Sequence, residues 1–287
     1  MESKYNMVAT TMFGLEETLK KELLELGAKK IKVSNRCVYF QGSKEIMYKA
    51  NLKLRTALKI LKTVQIFKAS KEDEFYKKIS RIKWNKILSF SETFSVSSTV
   101  NSVFFKHNQY ISLITKDAIV DQFRKNQNKR PSVDLKNPDF NIHVHISHNM
   151  CTISLNSSGN SLHKRGYRSE KFHAPINEVL AAGIILLTNW NKKDRLIDPM
   201  CGSGTFLIEA GLIAINRAPN IYRKVFGFQN WKDYNHELFI KIKHELKNEE
   251  KKINGCIEGY DISASAISIA RKHIANVKLG DCIKIKG

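Results

Sequence analysis

The hydrophobic pattern of the first 55 residues predicts a small unit of alternating strands and helices. Residues 5–11 form an apolar run typical of a strand, and the leucines that follow recur at helical spacing. Residues 31–33 and 37–40 predict two further strands around a turn, and a second capped helix follows them. The order β-α-β-β-α is that of a ferredoxin-like unit, which we assign to residues 1–55.

A second α+β block follows and overlaps the end of the first unit. Its strand patterns are separated by two helical patterns, and the longer helix is predicted for residues 109–125. The predicted strands are 61–67, 94–98, 141–147 and 151–155. The histidines of residues 142–148 alternate with apolar residues, which is typical of the outward face of a strand and disfavours a metal site. We assign this module to residues 45–156.

Residues 157–172 are rich in Gly and Ser and end in a basic run, which predicts a linker. In this run Lys164, Arg165 and Arg168 can bind phosphates, and Tyr167 can stack on an unpaired base. The alternative is a surface linker that docks on the following domain, and the residues alone favour neither.

The stretch from Leu196 to Ala210 predicts a short strand, an acidic tip, a glycine turn and a helix. A helix predicted for residues 175–190 precedes it. Glycines in the turn permit positive φ and let a ligand approach the backbone, and the first helical N–H groups point toward the turn. The alternative is a turn that needs glycine only for its geometry. The candidate ligand-binding residues are Asp198, Pro199, Cys201, Gly202, Ser203, Gly204 and Thr205.

A second strand pattern, residues 257–260, also ends in an acid, Asp261, followed by Ile262. An acid at this point in nucleoside-binding α/β folds accepts hydrogen bonds from the ribose hydroxyls, although such an acid is equally common as a helix cap. The turn contains no Lys, which disfavours a P-loop for nucleoside triphosphates. The sequence therefore predicts a nucleoside-type ligand at the carboxyl ends of parallel strands.

The charge of the chain predicts a polyanionic partner. The net charge is +21, and residues 1–173 contain 31 Lys and Arg against 15 Asp and Glu. The excess therefore lies in front of the glycine turn, which favours nucleic acid over a generally lysine-rich surface. At the end of the long helix, the candidate RNA contacts are Arg124, Lys125, Lys129 and Arg130.

Other classes of protein are disfavoured by what the sequence lacks. No run of 18 apolar residues predicts a membrane helix. The five cysteines form no C-x-x-C pair and predict reduced thiols in a cytoplasmic protein without a zinc site or another metal site. They are Cys37, Cys151, Cys201, Cys256 and Cys282.

The run Asp198–Thr205 resembles motif I of class I S-adenosylmethionine-dependent methyltransferases, in the form found in enzymes that methylate exocyclic base amines. The element order of residues 45–156 resembles a THUMP domain, an RNA-binding module. The run 163–168 is similar to one in bacterial 23S rRNA guanine-N2 methyltransferases. The resemblance implies a partial Rossmann-like methyltransferase domain at residues 173–287, S-adenosyl-L-methionine as cofactor, and RNA, above all 23S rRNA, as partner.

The same resemblance implies that the catalytic Asn/Asp-Pro-Pro-Tyr/Phe tetrapeptide follows a fourth strand, and no such tetrapeptide occurs in these residues. We therefore expect the N-terminal portion of a longer enzyme, inactive alone, and assign no catalytic residue. The open alternatives are methylation of tRNA guanine-N2 or DNA adenine-N6, or an RNA-binding protein with a relic donor pocket. The oligomeric state is not predicted.

Overall fold

The computed structural model describes residues 4–169, 175–253 and 257–287 and shows a mixed α/β protein, as expected. The strands are β1 Tyr5–Thr10, β2 Lys29–Ser34, β3 Cys37–Gly42, β4 Lys59–Lys68, β5 Thr93–Asn101, β6 Ser132–Val133, β7 Phe140–Ser147, β8 Met150–Asn156, β9 Leu196–Asp198, β10 Ile257–Tyr260 and β11 Ile283–Lys286. The helices are α1 Glu16–Glu25, α2 Lys44–Lys53, α3 Glu72–Ser80, α4 Asn108–Gln127, α5 Glu178–Leu187, α6 Thr205–Ala214, α7 His236–Asn248 and α8 Ala264–Asn276.

The first eight strands form one continuous sheet in the order β2-β3-β1-β4-β8-β7-β5-β6. Strand β4 joins the two front modules because it pairs antiparallel with β1 on one side and with β8 on the other. Helices α1 to α4 contribute to a single apolar cluster with alternate residues of β1, β7 and β8. The remaining alternate residues, His143 and His145 among them, therefore lie on the opposite face of the sheet.

The second sheet contains β11, β10 and β9, all parallel, with α6 and α8 packed against it. Its core is a separate apolar cluster that includes Leu207, Ile257 and Ile283. Both acidic tips, Asp198 and Asp261, therefore lie at the same carboxyl edge of this sheet. This arrangement is the one on which the predicted nucleoside-type site depends.

The predicted linker is not a free connection. Ser157 and Ser158 are fully buried and form hydrogen bonds with Asn51 of α2, at 2.9 and 2.6 Å. The guanidinium of Arg223 donates to the carbonyl oxygens of Ser158 and Asn160 at 2.9 and 2.6 Å. The segment is therefore part of the packed structure, because these hydrogen bonds satisfy buried groups that a mobile linker would leave to water.

The region between α6 and β10 packs on the front modules. The ring of Phe228 stacks on Tyr48 of α2 with centroids 4.4 Å apart, and Phe239 of α7 meets the same tyrosine edge-on. Both phenylalanines belong to the front apolar cluster. This region therefore acts as a buttress between the eight-stranded sheet and the second domain.

One boundary differs from the expectations. Helix α5 begins after Asn177, whose Oδ1 accepts from the Val179 N–H at 2.9 Å, and not at Pro175, because the asparagine cap satisfies an orphan N–H. The thiol predicted at Cys256 and the end of the predicted linker, residues 170–172, lie outside the described residues. Across the described part of the chain, no helix is both long and apolar enough to cross a membrane.

Candidate functional site

The glycine turn connects β9 to α6 with two residues in the left-handed region. Gly202 has φ of 53° and Gly204 has φ of 79°. Gly204 is the N-cap of α6 and supplies no side-chain cap, and its N–H donates to the Cys201 carbonyl at 2.8 Å. A Cβ on Gly204 would lie 3.2 Å from Ala270 Cβ, so the turn also approaches α8 closely. Glycine is therefore required here for backbone conformation and for space.

The two strand-end carboxylates fix this turn from both sides. The Met200 N–H donates to Asp198 Oδ1 at 3.1 Å, while the Gly202 N–H donates to Asp261 Oδ2 at 2.8 Å. Asp261 Oδ1 also accepts from the Ser263 N–H at 2.9 Å. Each carboxylate oxygen has a second lone pair, so both groups can accept further hydrogen bonds from a ligand.

Burial and mutual repulsion set the electrostatics of the site. Partial burial raises the pKa of Asp198, and the charge of Asp261 adds to that increase. Burial also raises the pKa of the Cys201 thiol to about 11, so this side chain is neutral at pH 7. Two neighbouring carboxylates favour a ligand that presents cationic and hydroxyl groups together.

The turn is packed tightly against β10. Gly259 in this strand has no room for a side chain, since an added Cβ would lie 2.3 Å from Leu207 Cδ1 and 3.1 Å from Cys201 Sγ. The Cys201 N–H donates to the Tyr260 carbonyl at 2.9 Å. Sequence reasoning did not identify Gly259, and the sequence signal was a glycine inside a strand pattern, which often marks a close approach.

Arg168 holds the start of α6 from outside the turn. Its Nη2 donates to Thr205 Oγ1 at 3.1 Å and to the Ile176 carbonyl at 2.7 Å, and its Nε lies 3.1 Å from Glu178 Oε1. Burial raises the pKa of Glu178, and the charge of Arg168 opposes that increase. The side chain of Arg168 therefore contacts the domain that contains β9 to β11, and it holds the hydroxyl of Thr205 in place.

Two of the predicted RNA contacts are wrong, because their side chains are buried. The side chain of Arg165 is fully buried and lies 3.5 Å from Glu209 Oε1, while its Nη2 donates to the Arg55 carbonyl at 2.6 Å. Tyr167 is 3% exposed and its hydroxyl lies 3.4 Å from the same Glu209 oxygen. Neither side chain can contact RNA, because both are buried around the carboxylate of Glu209 in α6.

The other basic candidates lie at the surface in two separate places. Arg124 and Lys125 end α4, and Lys129 and Arg130 follow it, all exposed. Lys129 lies over the ring of Phe90 at 4.5 Å. Lys164 is exposed elsewhere, beside the open face of the eight-stranded sheet. Their contact with RNA remains a prediction.

The remaining cofactor candidates surround the turn. Ser203 is buried and its carbonyl lies 3.3 Å from His273 Nδ1, whereas Pro199 and Ile262 are exposed beside the two carboxylates. Within the described ranges, no group of three or more His, Cys, Asp or Glu side chains is arranged to hold a metal ion.

Family comparisons agree with this geometry. Three family models match successive parts of the chain: an RlmL ferredoxin-like domain at residues 6–61, a THUMP domain at 69–156, and an RMKL-like methyltransferase domain at 165–287. A Synechocystis protein assigned as an RNA methyltransferase is 36% identical over 95% of this chain and 71% of its own length. The chain belongs to the THUMP-containing RMKL-like methyltransferase family.

Other members of the family extend the comparison. A ribosomal RNA large subunit methyltransferase K/L from Buchnera aphidicola is 39% identical over 94% of this chain. The chain spans 40% of the length of that relative. The solved structure of SMU.472, assigned as a methyltransferase and complexed with S-adenosylhomocysteine, is 34% identical over 100% of this chain and 76% of its own, with a TM-score of 0.86.

These findings confirm the fold and, for the family, the cofactor. A class I methyltransferase fold follows ferredoxin-like and THUMP modules, as the sequence predicts. S-adenosylhomocysteine is the product that S-adenosyl-L-methionine leaves after methyl transfer, so its presence in SMU.472 confirms the methyl donor expected for the family.

Proposed function

We propose that this chain binds S-adenosyl-L-methionine at the glycine turn and RNA on its front modules, for methylation of the exocyclic N2 amine of a guanine in 23S rRNA. The observation that carries the donor site is the pair of strand-end carboxylates, Asp198 and Asp261, on either side of a left-handed glycine turn. The same substrate implies a cytoplasmic location.

The chemistry of these residues fits the donor. Asp198 suits the cationic methionine portion of the donor. Its pKa is raised in the free protein, and a nearby ammonium group would stabilise its ionised form. Asp261 suits the ribose, whose vicinal hydroxyls can donate hydrogen bonds to the remaining lone pairs of its carboxylate. Gly202 and Gly204 leave the backbone open to the ligand, and Ile262 offers an exposed apolar side chain beside the base.

S-adenosyl-L-methionine supplies an electrophilic methyl group on a sulfonium. The residues of this chain bind and orient the donor, and positioning of this kind supplies a large part of the rate enhancement in group transfer. The Asn/Asp-Pro-Pro-Tyr/Phe tetrapeptide does not occur in the 287 residues, so no residue is assigned to the target amine.

The donor assignment predicts that Asp261→Asn weakens binding of S-adenosyl-L-methionine. Loss of a charge-assisted hydrogen bond costs about 1.5–3 kcal/mol, or roughly tenfold to a hundredfold in Kd by calorimetry. Asp281→Asn is the matched control, because Asp281 is an exposed acid in the same domain. Equal affinities of the two variants would refute the ribose role of Asp261.

The RNA assignment predicts salt-dependent binding of large-subunit rRNA by the whole chain. Counterion release makes the logarithm of the affinity fall linearly with the logarithm of the salt concentration. We expect rRNA fragments to compete better than tRNA or duplex DNA. Stronger competition by tRNA or DNA would favour those substrates, and affinity that is indifferent to salt would mean that the basic surface is only solvated.

The methylated position is tested separately. We expect an enzyme that contains this chain together with the catalytic tetrapeptide to yield labelled N2-methylguanosine from rRNA that has been incubated with radiolabelled donor and digested to nucleosides. Labelled N6-methyladenosine would overturn the guanine assignment. Donor and RNA binding without any product would favour an RNA-binding protein with a relic pocket.

A further inference from the structure

The face of the eight-stranded sheet opposite α1 to α4 contains a groove that the methyl-donor site does not use. Two adjoining pockets of about 310 and 320 Å³ share Leu61 and His143 as a common wall. We call this pair of pockets the sheet groove. It extends from the turn after β2 to the segment that follows β8.

The sheet groove is lined by cations and neutral polar groups. Among the described residues of its lining, none is acidic, whereas Arg36, Lys59 and Lys164 are basic. None of these three side chains forms an ion pair with another described residue within 4 Å. Glu16 interacts with Arg36, whose charge lowers the pKa of that carboxyl, so Lys59 and Lys164 are the cations available to a ligand. The lining therefore complements an anion.

Flat and uncharged groups lie between these cations. Tyr39 is 37% exposed and borders one pocket, and His143 lies between the two. Ser97 Oγ lies 3.0 Å from His143 Nδ1, which leaves Nε2 to a ligand. Burial lowers the pKa of His143 to about 4, so the ring is neutral at pH 7 and can either donate or accept a hydrogen bond.

We propose that the sheet groove binds a short unpaired stretch of RNA, with one base against Tyr39, another against His143, and phosphates at Lys59 and Lys164. This inference rests on the proposed RNA substrate and adds the place and the form in which the strand is held. Hydroxyl groups of Thr99 and Thr152 in the lining can bond to base edges or to the 2′-hydroxyl.

Unpaired RNA fits the sheet groove better than a duplex or an acidic peptide does. The bases of a duplex are stacked and paired, so their faces cannot reach a half-buried tyrosine or histidine, whereas a splayed base can. An acidic peptide would use the cations but would have no planar group for the rings. The exposed basic end of α4 is open enough for duplex phosphates, so the two surfaces would serve different parts of one RNA.

The first test measures binding of a fluorescent single-stranded RNA octamer to the full chain by anisotropy. We expect Tyr39→Ala to weaken binding at least fivefold, because stacking of a base on an aromatic ring is lost, and Tyr39→Phe to remain within about twofold. Lys59→Gln should reduce the salt-dependence slope by about 0.7, the value for one phosphate contact on a single strand.

The matched control is Lys241→Gln, which removes one positive charge from an exposed lysine of α7, on the helical side of the molecule. We expect it to leave affinity and slope unchanged. Circular dichroism confirms that each variant is folded. A loss with Lys241→Gln equal to that with Lys59→Gln would overturn the sheet groove and indicate a diffuse charge effect.

The second test needs no variant. Cys37 lines the sheet groove and is half-buried, whereas Cys151, Cys201 and Cys282 are buried. We expect saturating single-stranded RNA to slow alkylation of Cys37 by N-ethylmaleimide severalfold, as read by mass spectrometry of its peptide, while duplex RNA of equal length protects it less.

The outcomes separate this inference from the proposed function. RNA binding that persists in the groove variants, with Cys37 alkylated at an unchanged rate, would overturn the sheet groove and leave the RNA substrate intact. No binding of any RNA by the wild-type chain would overturn both. Equal protection of Cys37 by polyglutamate would also refute the assignment, since it would show a site for any polyanion.

Discussion

At the scale of single residues, the absence of a side chain at Gly259 allows the glycine turn and α6 to pack closely on β10. We expect Gly259→Ala to destabilise the protein by about 1–3 kcal/mol, because overpacking forces buried neighbours to move. Leu207 is fully buried and Cys201 Sγ would lie 3.1 Å from the new Cβ, so neither can yield freely. Urea denaturation, followed by circular dichroism, measures the change in free energy of unfolding.

The control for this substitution is Gly280→Ala. An added Cβ at Gly280 has no neighbour within 4 Å, and its φ lies outside the left-handed region. We expect a change between about zero and a slight stabilisation, since alanine restricts the unfolded chain. A loss at Gly280 as large as that at Gly259 would show that steric crowding is not the cause.

The raised pKa of Asp198 leads us to expect that donor binding depends on pH. Its pKa is raised in the free protein by burial and by Asp261, and a bound ammonium would lower it. Affinity should therefore be full at pH 7 and fall as the pH drops through the pKa of the free protein, by up to about tenfold per unit below it. Calorimetry with S-adenosylhomocysteine tests this, and Asp198→Asn should bind weakly with little dependence on pH.

The sequence predicted the backbone geometry of the glycine turn better than it predicted the environment of the basic run. Asp198, Gly202 and Gly204 depend on local strand–turn–helix geometry, which a short stretch of sequence determines. Arg165 and Tyr167 are basic and aromatic like surface RNA contacts, but their partner is Glu209, 44 residues away from Arg165 in sequence. Nothing local distinguishes a buried arginine from an exposed one.

At the scale of elements, hydrophobic periodicity predicted where the strands and helices lie, but it did not predict which strands pair. The sequence predicts two front modules, and the structure merges them through β4, whose two neighbours, β1 and β8, are far apart in the chain. Pairing over such distances depends on tertiary packing rather than on period. Within the predicted linker, the contacts favour the docked alternative, since the partners of its described residues lie on α2 and α6.

Because the segment after β8 is packed, we expect a substitution in its buried part to change the free energy of unfolding more than a substitution in a free linker would. Arg165→Met should cost about 3–5 kcal/mol, because it removes a cation 3.5 Å from the buried Glu209 carboxylate and leaves the Leu162 and Arg55 carbonyls without its donors. The neighbouring Lys164→Met should stay within about 0.5 kcal/mol, as is usual at exposed positions. Thermal or urea unfolding provides both values. Similar values for the two variants would show that the Arg165–Glu209 pair does not stabilise the fold.

At the scale of the whole molecule, two apolar cores are joined by hydrogen bonds and by close packing. Arg55, next to the front core, donates to the carbonyls of Leu212 and Arg217 at 3.1 and 2.8 Å, and burial lowers its pKa to about 10. Gly183 of α5 packs on Leu15, where an added Cβ would lie 2.5 Å from Leu15 Cδ1. Separation of the two cores would expose these groups or leave them unpaired.

We therefore expect the two cores to unfold together. Hydrogen exchange measured by mass spectrometry at increasing urea should show β8, in the front sheet, and α6, in the donor domain, losing protection at one common midpoint, as in a two-state transition. Arg55→Met removes the donors that connect the domains, so it should lower stability and separate the two midpoints. Two midpoints already present in the wild-type chain would mean that the front modules fold independently of the donor site.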